Sequence, residues 1–257
     1  MATSLFGEII FGPVKSRRLG VSLGVNLLPT IGKVCTFDCI YCECGYNAER
    51  KGGKLPRKEE VIEALSERLK GMSEREEALD VITFAGNGEP TVHPDFAEII
   101  DATIALRNRY FPSAKVSVLS NSTQIFKPTV FEALKRVDNN ILKLDSAFQE
   151  TVALIDVPNQ PGFNVDNVIE NLRAFEGNVI IQTMFLRGNH NEKVVDNTTD
   201  REVEAWLEAL KRIAPKSVMV YSLDRPTPEQ QLEKVSKEEL EKIADRARAL
   251  GFEVSVA

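Results

Sequence analysis

Val21-Ser-Leu-Gly-Val-Asn-Leu27 alternates apolar residues with small or polar ones, and the chain then reaches Cys35-Thr-Phe-Asp-Cys39-Ile-Tyr-Cys42. Alternation with a period of two is typical of a β-strand. The predicted strand therefore runs into a loop that carries three thiols, spaced four and three residues apart. We expect this strand and loop to mark both the start of a sheet and the place of the chemistry.

Beyond the loop, apolar patterns of helical period alternate with short apolar runs. Helices are predicted around residues 57–72, 96–104, 131–134, 165–175, 203–213 and 240–250, and strands around 81–84, 116–119, 141–144, 179–185, 218–221 and 252–256. Such alternation implies right-handed crossovers and a mainly parallel sheet. Six units are fewer than the eight of a full barrel, so we predict an α/β fold with a partial (β/α)6 TIM-like barrel. A doubly wound sheet is the alternative, and either fold places the chemistry at the carboxyl ends of the strands.

Length and charge limit the possible partners. We expect one domain over residues 1–257, because a chain of 257 residues can bury a large core. The 32 Lys and Arg residues against 38 acidic ones leave a formal charge of −6, which argues against a DNA partner. The sequence also lacks an apolar run of about 18 residues and a secretory signal, so we expect no membrane partner and a cytoplasmic location.

The four cysteines lie between residues 35 and 44, too close together to brace a domain of this size. Such clusters in intracellular proteins are typical of metal ligands or redox centres. Three thiolates on a short loop can bind three irons of a cubane cluster and leave its fourth iron open. With Cys44 included, four thiolates could instead bind a structural zinc ion. The spacing leaves both interpretations open.

The cysteine spacing, with Tyr41 directly before the third cysteine, resembles the cluster motif of radical S-adenosylmethionine (radical SAM) enzymes. The resemblance implies a single radical SAM core domain, with an N-terminal segment 1–20 and a cluster loop 31–50. It implies that Cys35, Cys39 and Cys42 hold a 4Fe-4S cluster whose open iron binds S-adenosylmethionine (SAM). Reductive cleavage of SAM would then yield a 5′-deoxyadenosyl radical. Tyr41 is expected to lie against the adenine, and a flavodoxin or ferredoxin is expected to donate the electron.

A second motif, Gly86-Asn-Gly-Glu-Pro90, directly follows the predicted strand at residues 81–84. Taken alone it is a turn, because Gly and Asn tolerate positive φ and Pro ends a strand. In the resembled family, a Gly-Gly-Glu-like segment at this position binds the amino group of SAM. The resemblance therefore implies cofactor contacts at Gly86, Asn87, Gly88, Glu89 and Pro90. Asn87, between the two glycines, is a departure from the family pattern.

Polar residues also follow the later strands. Any parallel sheet ends in polar turn residues, so each of these is by itself more typical of a cap or a turn. Together with the cysteine loop, four of them are similar to the family's contacts with the ribose and carboxylate of SAM: Ser120, Asn121, Asp145 and Gln182.

Cations near the start of the chain suggest a substrate contact. Lys15, Arg17 and Arg18 form a local cluster that could bind an anionic group, although a solvated N-terminal segment is the simpler interpretation. Arg225 is a further candidate substrate contact, in one of two predicted long loops, 187–200 and 222–237. This N-terminal segment and the cysteine loop resemble a poorly characterised group of iron-sulfur oxidoreductases related to the wyosine-type tRNA-modifying enzymes.

Cys44 and His93 are weaker candidates for a catalytic role. The resembled group usually has an apolar residue at position 44, so this thiol could cap the cluster, accept a radical or act as a nucleophile. A small buried cysteine is the commoner case. His93 follows Glu89 closely and is a candidate acid or base.

The sequence leaves the substrate open. A tRNA base is suggested by the wyosine-type relatives, whereas the acidic charge argues against it. A peptide or protein is the other candidate. The alternative function is that of a non-catalytic metal-binding or regulatory protein, in which Cys44 completes a zinc site or a capped iron-sulfur site.

Overall fold

A computed structural model of the protein describes residues 4–16 and 19–257. The predicted substrate contacts Arg17 and Arg18 lie outside these described residues. The helices are α1 (Lys58–Glu74), α2 (Phe96–Tyr110), α3 (Pro128–Arg136), α4 (Gln149–Ile155), α5 (Val165–Arg173), α6 (Asp200–Ile213) and α7 (Lys237–Arg248). The strands are β1 (Ile10–Ser16), β2 (Gly20–Val25), β3 (Val81–Phe84), β4 (Lys115–Ser120), β5 (Asn139–Lys143), β6 (Ile180–Met184), β7 (Leu186–His190), β8 (Lys193–Asp196), β9 (Ser217–Tyr221), β10 (Leu232–Lys234) and β11 (Val254–Val256).

Over the described residues, the main sheet has the strand order β1-β2-β3-β4-β5-β6-β9-β11. Neighbouring strands of this sheet pair in parallel from β2 to β11, while β1 pairs antiparallel with β2. One cavity is lined by residues from β1 to β6 and from β9, so these strands curl around a common interior. The sheet is curled and open, and helices alternate with its parallel strands along the sequence. This architecture confirms the predicted partial barrel.

The apolar core lies between the sheet and the helices that follow its strands. Buried side chains of α1, α2, α6 and α7 share one continuous apolar cluster with the inner strands. β3 illustrates how the sequence encodes a buried sheet, because each residue of Val81–Phe84 is buried. A short, wholly apolar strand is typical of a parallel sheet that is covered on both faces.

The structure corrects two predicted loops. The connections 187–200 and 222–237 contain β7, β8 and β10, which form a second, antiparallel sheet in the order β10-β7-β8. The N-terminal segment 1–20 likewise contains an edge strand, β1. Separately, in the part of the chain that is described, no helix has the length and apolar character to cross a membrane.

We predict that Trp206→Ala lowers the free energy of unfolding by about 3–5 kcal/mol. Trp206 on α6 is fully buried, its Nε1 donates to Thr183 Oγ1 at 3.0 Å, and its ring meets Phe185 edge-on at 5.4 Å between centroids. Urea unfolding followed by circular dichroism measures the loss. The half-exposed Leu250 provides the control, since Leu250→Ala should change stability by about 0.5 kcal/mol or less. Equal losses in the two variants would contradict this packing.

Candidate active site

The cysteine loop follows β2 and is fastened to the loop after β3. Val34 N–H donates to Asn87 O at 3.0 Å, and Glu89 N–H donates to Val34 O at 3.0 Å. These bonds form a parallel bridge between Val34 and Gly88. Cys35, the next residue, is therefore held at the carboxyl edge of the sheet.

The other side of the loop is held by the segment that follows α4. Asp38 N–H donates to Asp156 O, and Ile40 N–H donates to Ile155 O, each at 3.0 Å. Asn159 Nδ2 donates to Cys35 O at 2.8 Å. With both sides fixed by backbone bonds, the loop presents its three thiols in a defined position.

The three predicted cluster ligands lie in one largely buried place. Cys39 is buried, while Cys35 and Cys42 are partly buried. Burial, with the carboxylate of Glu89 as the next cause, raises the pKa of Cys35 to about 12, and burial raises that of Cys39 well above its usual range. A metal can displace such protons, because a coordinating thiol is deprotonated.

Lys33 places a positive charge beside these thiols. Its side chain is 1% exposed, and its Nζ donates to Gly45 O at 2.7 Å and pairs with Asp38 Oδ1 at 3.3 Å. Burial lowers the pKa of Lys33, but the charges of the three cysteines and of Asp38 outweigh it, so the pKa is raised. A permanently charged ammonium therefore lies close to the thiol group.

Lys143, the last residue of β5, is in direct contact with Cys39. Its Nζ is 3.3 Å from Cys39 Sγ, 3.2 Å from Asp156 Oδ1 and 3.5 Å from Asp145 Oδ2. It also hydrogen-bonds to Tyr41 Oη. Two predicted cofactor contacts, Tyr41 and Asp145, thus belong to one buried ionic network that includes a cluster ligand.

The carboxylate of Asp145 is fully engaged in this network. Its Oδ2 accepts a hydrogen bond from Tyr41 Oη, and its Oδ1 accepts one from Met184 N–H at 2.8 Å. Burial, opposed by the charge of Lys143, raises the pKa of Asp145 to about 7. The contact with SAM expected of Asp145 therefore stays a prediction, while its contacts with Tyr41, Lys143 and Met184 are evident.

The glycines of the second motif are required by close backbone approach. Gly88 has φ +135°, and a Cβ there would lie 1.9 Å from Val34 O. At Gly86 a Cβ would lie 2.2 Å from Asn26 Oδ1. A side chain at either position would push the motif away from its neighbours.

Asn87 turns its side chain into the protein. It is fully buried, its Oδ1 accepts from Phe6 N–H at 2.8 Å, and its Nδ2 donates to Phe6 O at 2.9 Å and Pro29 O at 2.8 Å. In this structure the amide joins the N-terminal segment to the segment after β2. That role explains an amide between the two glycines, where the family pattern has none.

Glu89 links the ends of β3 and β4. Its Oε1 accepts from Thr91 N–H at 3.0 Å, and its Oε2 accepts from Asn121 N–H at 2.6 Å. Burial is the main cause of its raised pKa. Pro90 follows as the first residue of a short 3-10 turn.

The remaining predicted cofactor contacts lie along the same edge. Asn121 Nδ2 donates to Thr36 Oγ1 at 2.8 Å and lies 3.6 Å from Cys35 Sγ. Ser120 Oγ accepts from the backbone N–H two residues on, at 3.2 Å. Gln182 on β6 is buried and is paired in register with Lys143. Asn121 is thus the member of this set that touches a predicted cluster ligand.

His93 has a structural environment. It is buried, its Nε2 bonds to Pro56 O at 2.8 Å, and its Nδ1 accepts from Asp95 N–H at 3.1 Å. Backbone groups thus occupy both ring nitrogens. These contacts give His93 a structural role, and its expected acid or base role stays a prediction.

Cys44 lies between a cluster ligand and the glycine motif. Cys44 Sγ is 3.5 Å from Gly86 O. A hydrogen bond between the thiols of Cys42 and Cys44 lowers the pKa of Cys42 and raises that of Cys44. In residues 4–16 and 19–257, no three His, Cys, Asp or Glu side chains are grouped around a single metal position. A zinc ion needs its ligands grouped around one position, whereas in a cubane cluster each thiolate binds a separate iron.

A cavity of about 410 Å³ adjoins the cluster loop and fills the curl of the sheet. Tyr41 and Glu43 of the loop line it, and so do Phe6 and Phe11, whose rings stack at 3.9 Å. The candidate substrate contact Arg225 lies at its exposed rim, where its Nη1 pairs with Glu43 Oε2 at 2.8 Å. The cavity therefore places a ligand-sized space next to the cluster loop.

Sequence reasoning missed three contributors to this site: Lys33, Asp156 and Asn159. Lys33 stands two residues before Cys35, so its position in the sequence could have indicated a cation beside the thiols. Asp156 and Asn159 come from a turn far along the chain, and no local pattern connects them with the cysteines. Only the fold brings them together.

Comparison with known proteins defines the class. Residues 30–200 match the family described as the radical SAM superfamily. Since the match covers more than half of the chain, the chain belongs to the radical SAM superfamily, and it is an enzyme of that kind. Membership confirms the predicted resemblance and its cofactors, a 4Fe-4S cluster and SAM.

Individual proteins and solved structures are also similar to this chain. A UPF0026 protein of Helicobacter pylori strain 26695 is 31% identical over 227 residues, which cover 85% of this chain and 67% of the relative. A radical SAM methyltransferase from Sphaerobacter thermophilus has a similar structure, with TM-score 0.66, 16% identity and coverage of 92% of this chain and 65% of the other. TYW1 with a lysine-pyruvate adduct bound has TM-score 0.59, 16% identity and coverage of 89% and 73%. The chain thus spans about two thirds of the first two proteins, and the structural likenesses show a shared fold.

The residues present fit a 4Fe-4S cluster. Cys35, Cys39 and Cys42 supply soft thiol donors on one fixed loop, and thiolates are the usual ligands of iron-sulfur clusters. Lys33 and Lys143 offset the negative charge that three thiolates bring into a buried place.

We predict that Gly88→Ala lowers the iron bound after anaerobic reconstitution to less than half of the parent value. A methyl group at Gly88 would meet Val34 O and so displace Cys35. Iron and sulfide assays measure the loss. Gly7 has open space around it, so Gly7→Ala is the control and should bind as much iron as the parent. Full iron binding by both variants would show that this bridge does not set the ligand position.

Proposed function

We propose that this protein cleaves SAM reductively and uses the resulting radical to abstract a hydrogen atom from a substrate in the half-barrel cavity. The observation that carries the proposal is the position of the three-cysteine loop, because Tyr41 and Glu43 of this loop form part of the cavity wall. When bound, the cluster would supply the electron that cleaves SAM to methionine and a 5′-deoxyadenosyl radical.

The residues of the cavity would orient the reactants and exclude water. Its interior is mainly apolar, and its Ser22 and Thr83 hydroxyls bond to each other at 2.8 Å. A radical is protected from side reactions in such surroundings. Tyr41, which lines the cavity, would lie against the adenine as the family resemblance implies.

The chemistry of the cavity favours a substrate that inserts a neutral, mainly apolar group. Among the described residues, the charged side chains that line the cavity are exposed ones, which places them at its rim: Lys15, Glu43, Asp224, Arg225 and Lys234. Four of them form two ion pairs, Arg225 with Glu43 and Lys234 with Asp224. We propose that a peptide or protein side chain or a tRNA base enters the interior while the charged part of the substrate stays at the rim.

We further propose that a small electron-transfer protein, a flavodoxin or a ferredoxin, reduces the cluster. Reductive cleavage of SAM consumes one electron, and the proposed cluster in the cysteine loop would have to receive it from a donor. A small electron-transfer protein would supply that electron to the cluster.

We predict that Cys35→Ala, Cys39→Ala and Cys42→Ala each abolish cluster binding and SAM cleavage, whereas Cys44→Ala keeps about four irons per chain and the cleavage activity. The reason is that three thiolates suffice to hold the cluster, and SAM needs the fourth iron, which no cysteine binds. The measurement is anaerobic reconstitution, iron and sulfide analysis, and detection of 5′-deoxyadenosine after reduction with dithionite.

The same experiment tests the alternative function. A colourless, zinc-loaded protein that is indifferent to SAM would favour the non-catalytic metal-binding protein. Iron that is lost in Cys44→Ala, together with no SAM cleavage by the parent, would favour a cluster capped by Cys44. Either result would overturn the proposed function.

A further inference from the structure

Lys143 is a largely buried cation in direct contact with a predicted ligand sulfur. Its side chain is 15% exposed, and its Nζ lies 3.3 Å from Cys39 Sγ. It is not among the described residues that line the cavity, so a substrate contact does not explain its burial. Burying an ammonium is costly unless it is paired, so its partners need an account.

Lys143 is held in place from several directions. Asp156 Oδ1 at 3.2 Å and Asp145 Oδ2 at 3.5 Å pair with its ammonium, and Tyr41 Oη bonds to it. The rings of Tyr41 and Phe37 lie 4.6 Å and 5.7 Å from its Nζ. These contacts fix the charge against one side of Cys39 and leave it little freedom to move.

The carboxylate of Asp156 places a negative charge beside both Lys143 and the Cys39 sulfur. Its Oδ1 is 3.4 Å from Cys39 Sγ as well as 3.2 Å from Lys143 Nζ. A carboxylate beside the ligand opposes the effect of the ammonium on that sulfur. Lys143 and Asp156 therefore have opposite effects on the electrostatic potential at Cys39 Sγ.

We propose that Lys143 is a positioning residue that fixes positive charge on the Cys39 sulfur and makes one-electron reduction of the cluster easier, with Asp156 limiting this effect. Reduction adds one negative charge to the cluster, and a nearby cation favours the reduced form more than the oxidised form. Hydrogen bonds to ligand sulfurs and local charge are known to set cluster potentials. The inference rests on the proposed role of Cys39 as a ligand.

The test measures the midpoint potential of the reconstituted protein by dithionite titration monitored by electron paramagnetic resonance. We expect Lys143→Met to make the potential more negative and Asp156→Asn to make it less negative. Loss of structure alone would not shift the two variants in opposite directions. Lys211, an exposed partner of Glu208 on α6, gives the control Lys211→Met, whose potential should equal that of the parent.

Potentials of both variants equal to the control, or shifted in the same direction, would overturn the inference while leaving the cluster ligands intact. If Lys143→Met binds no iron, Asp156→Asn decides alone, and an unchanged or more negative potential would overturn the inference. A parent chain that binds no cluster would instead overturn the proposed function. The two failures are thereby distinguishable.

Discussion

Among the backbone attachments that hold the cysteine loop, the bridge between Val34 and Gly88 fixes the position of Cys35. It ties the cysteine loop to the end of β3, and it requires a glycine because Val34 O occupies the place of a Cβ. Asn87 and Glu89, on either side of Gly88, continue the attachment to the N-terminal segment and to β4. The cofactor motif of the sequence is therefore also the scaffold that positions the ligands.

Charge balance is the second constraint on this site. Three thiolates in a buried loop would repel one another, and the chain places two ammonium groups, Lys33 and Lys143, near them. Each ammonium is in turn paired with a carboxylate, Asp38 or Asp156. Buried ion pairs of this kind contribute little net stability, because desolvation offsets their attraction. Their presence is better explained by the chemistry of the loop than by the stability of the fold.

The sequence predicted those features that local patterns encode. The strand before Cys35, the alternation of helices and strands and the three spaced cysteines all follow from neighbouring residues, and the partial barrel is confirmed. The β10-β7-β8 sheet escaped prediction because β7 reads Leu-Arg-Gly-Asn-His, a polar segment whose pairing is visible only in three dimensions. Asn87 was predicted as a cofactor contact, yet its amide bonds to Phe6, far away in the chain. Lys143 and Asp156 likewise converge on Cys39 only through the fold.

We infer that three cysteines leave one iron of the cluster open to SAM. Electron-nuclear double resonance of the reduced cluster, with SAM labelled isotopically in its carboxylate, detects binding of SAM at that iron. We expect a hyperfine coupling between the cluster and the label, both in the parent and in Cys44→Ala. An intact four-iron cluster without any coupling to the label would show that no iron is open to SAM.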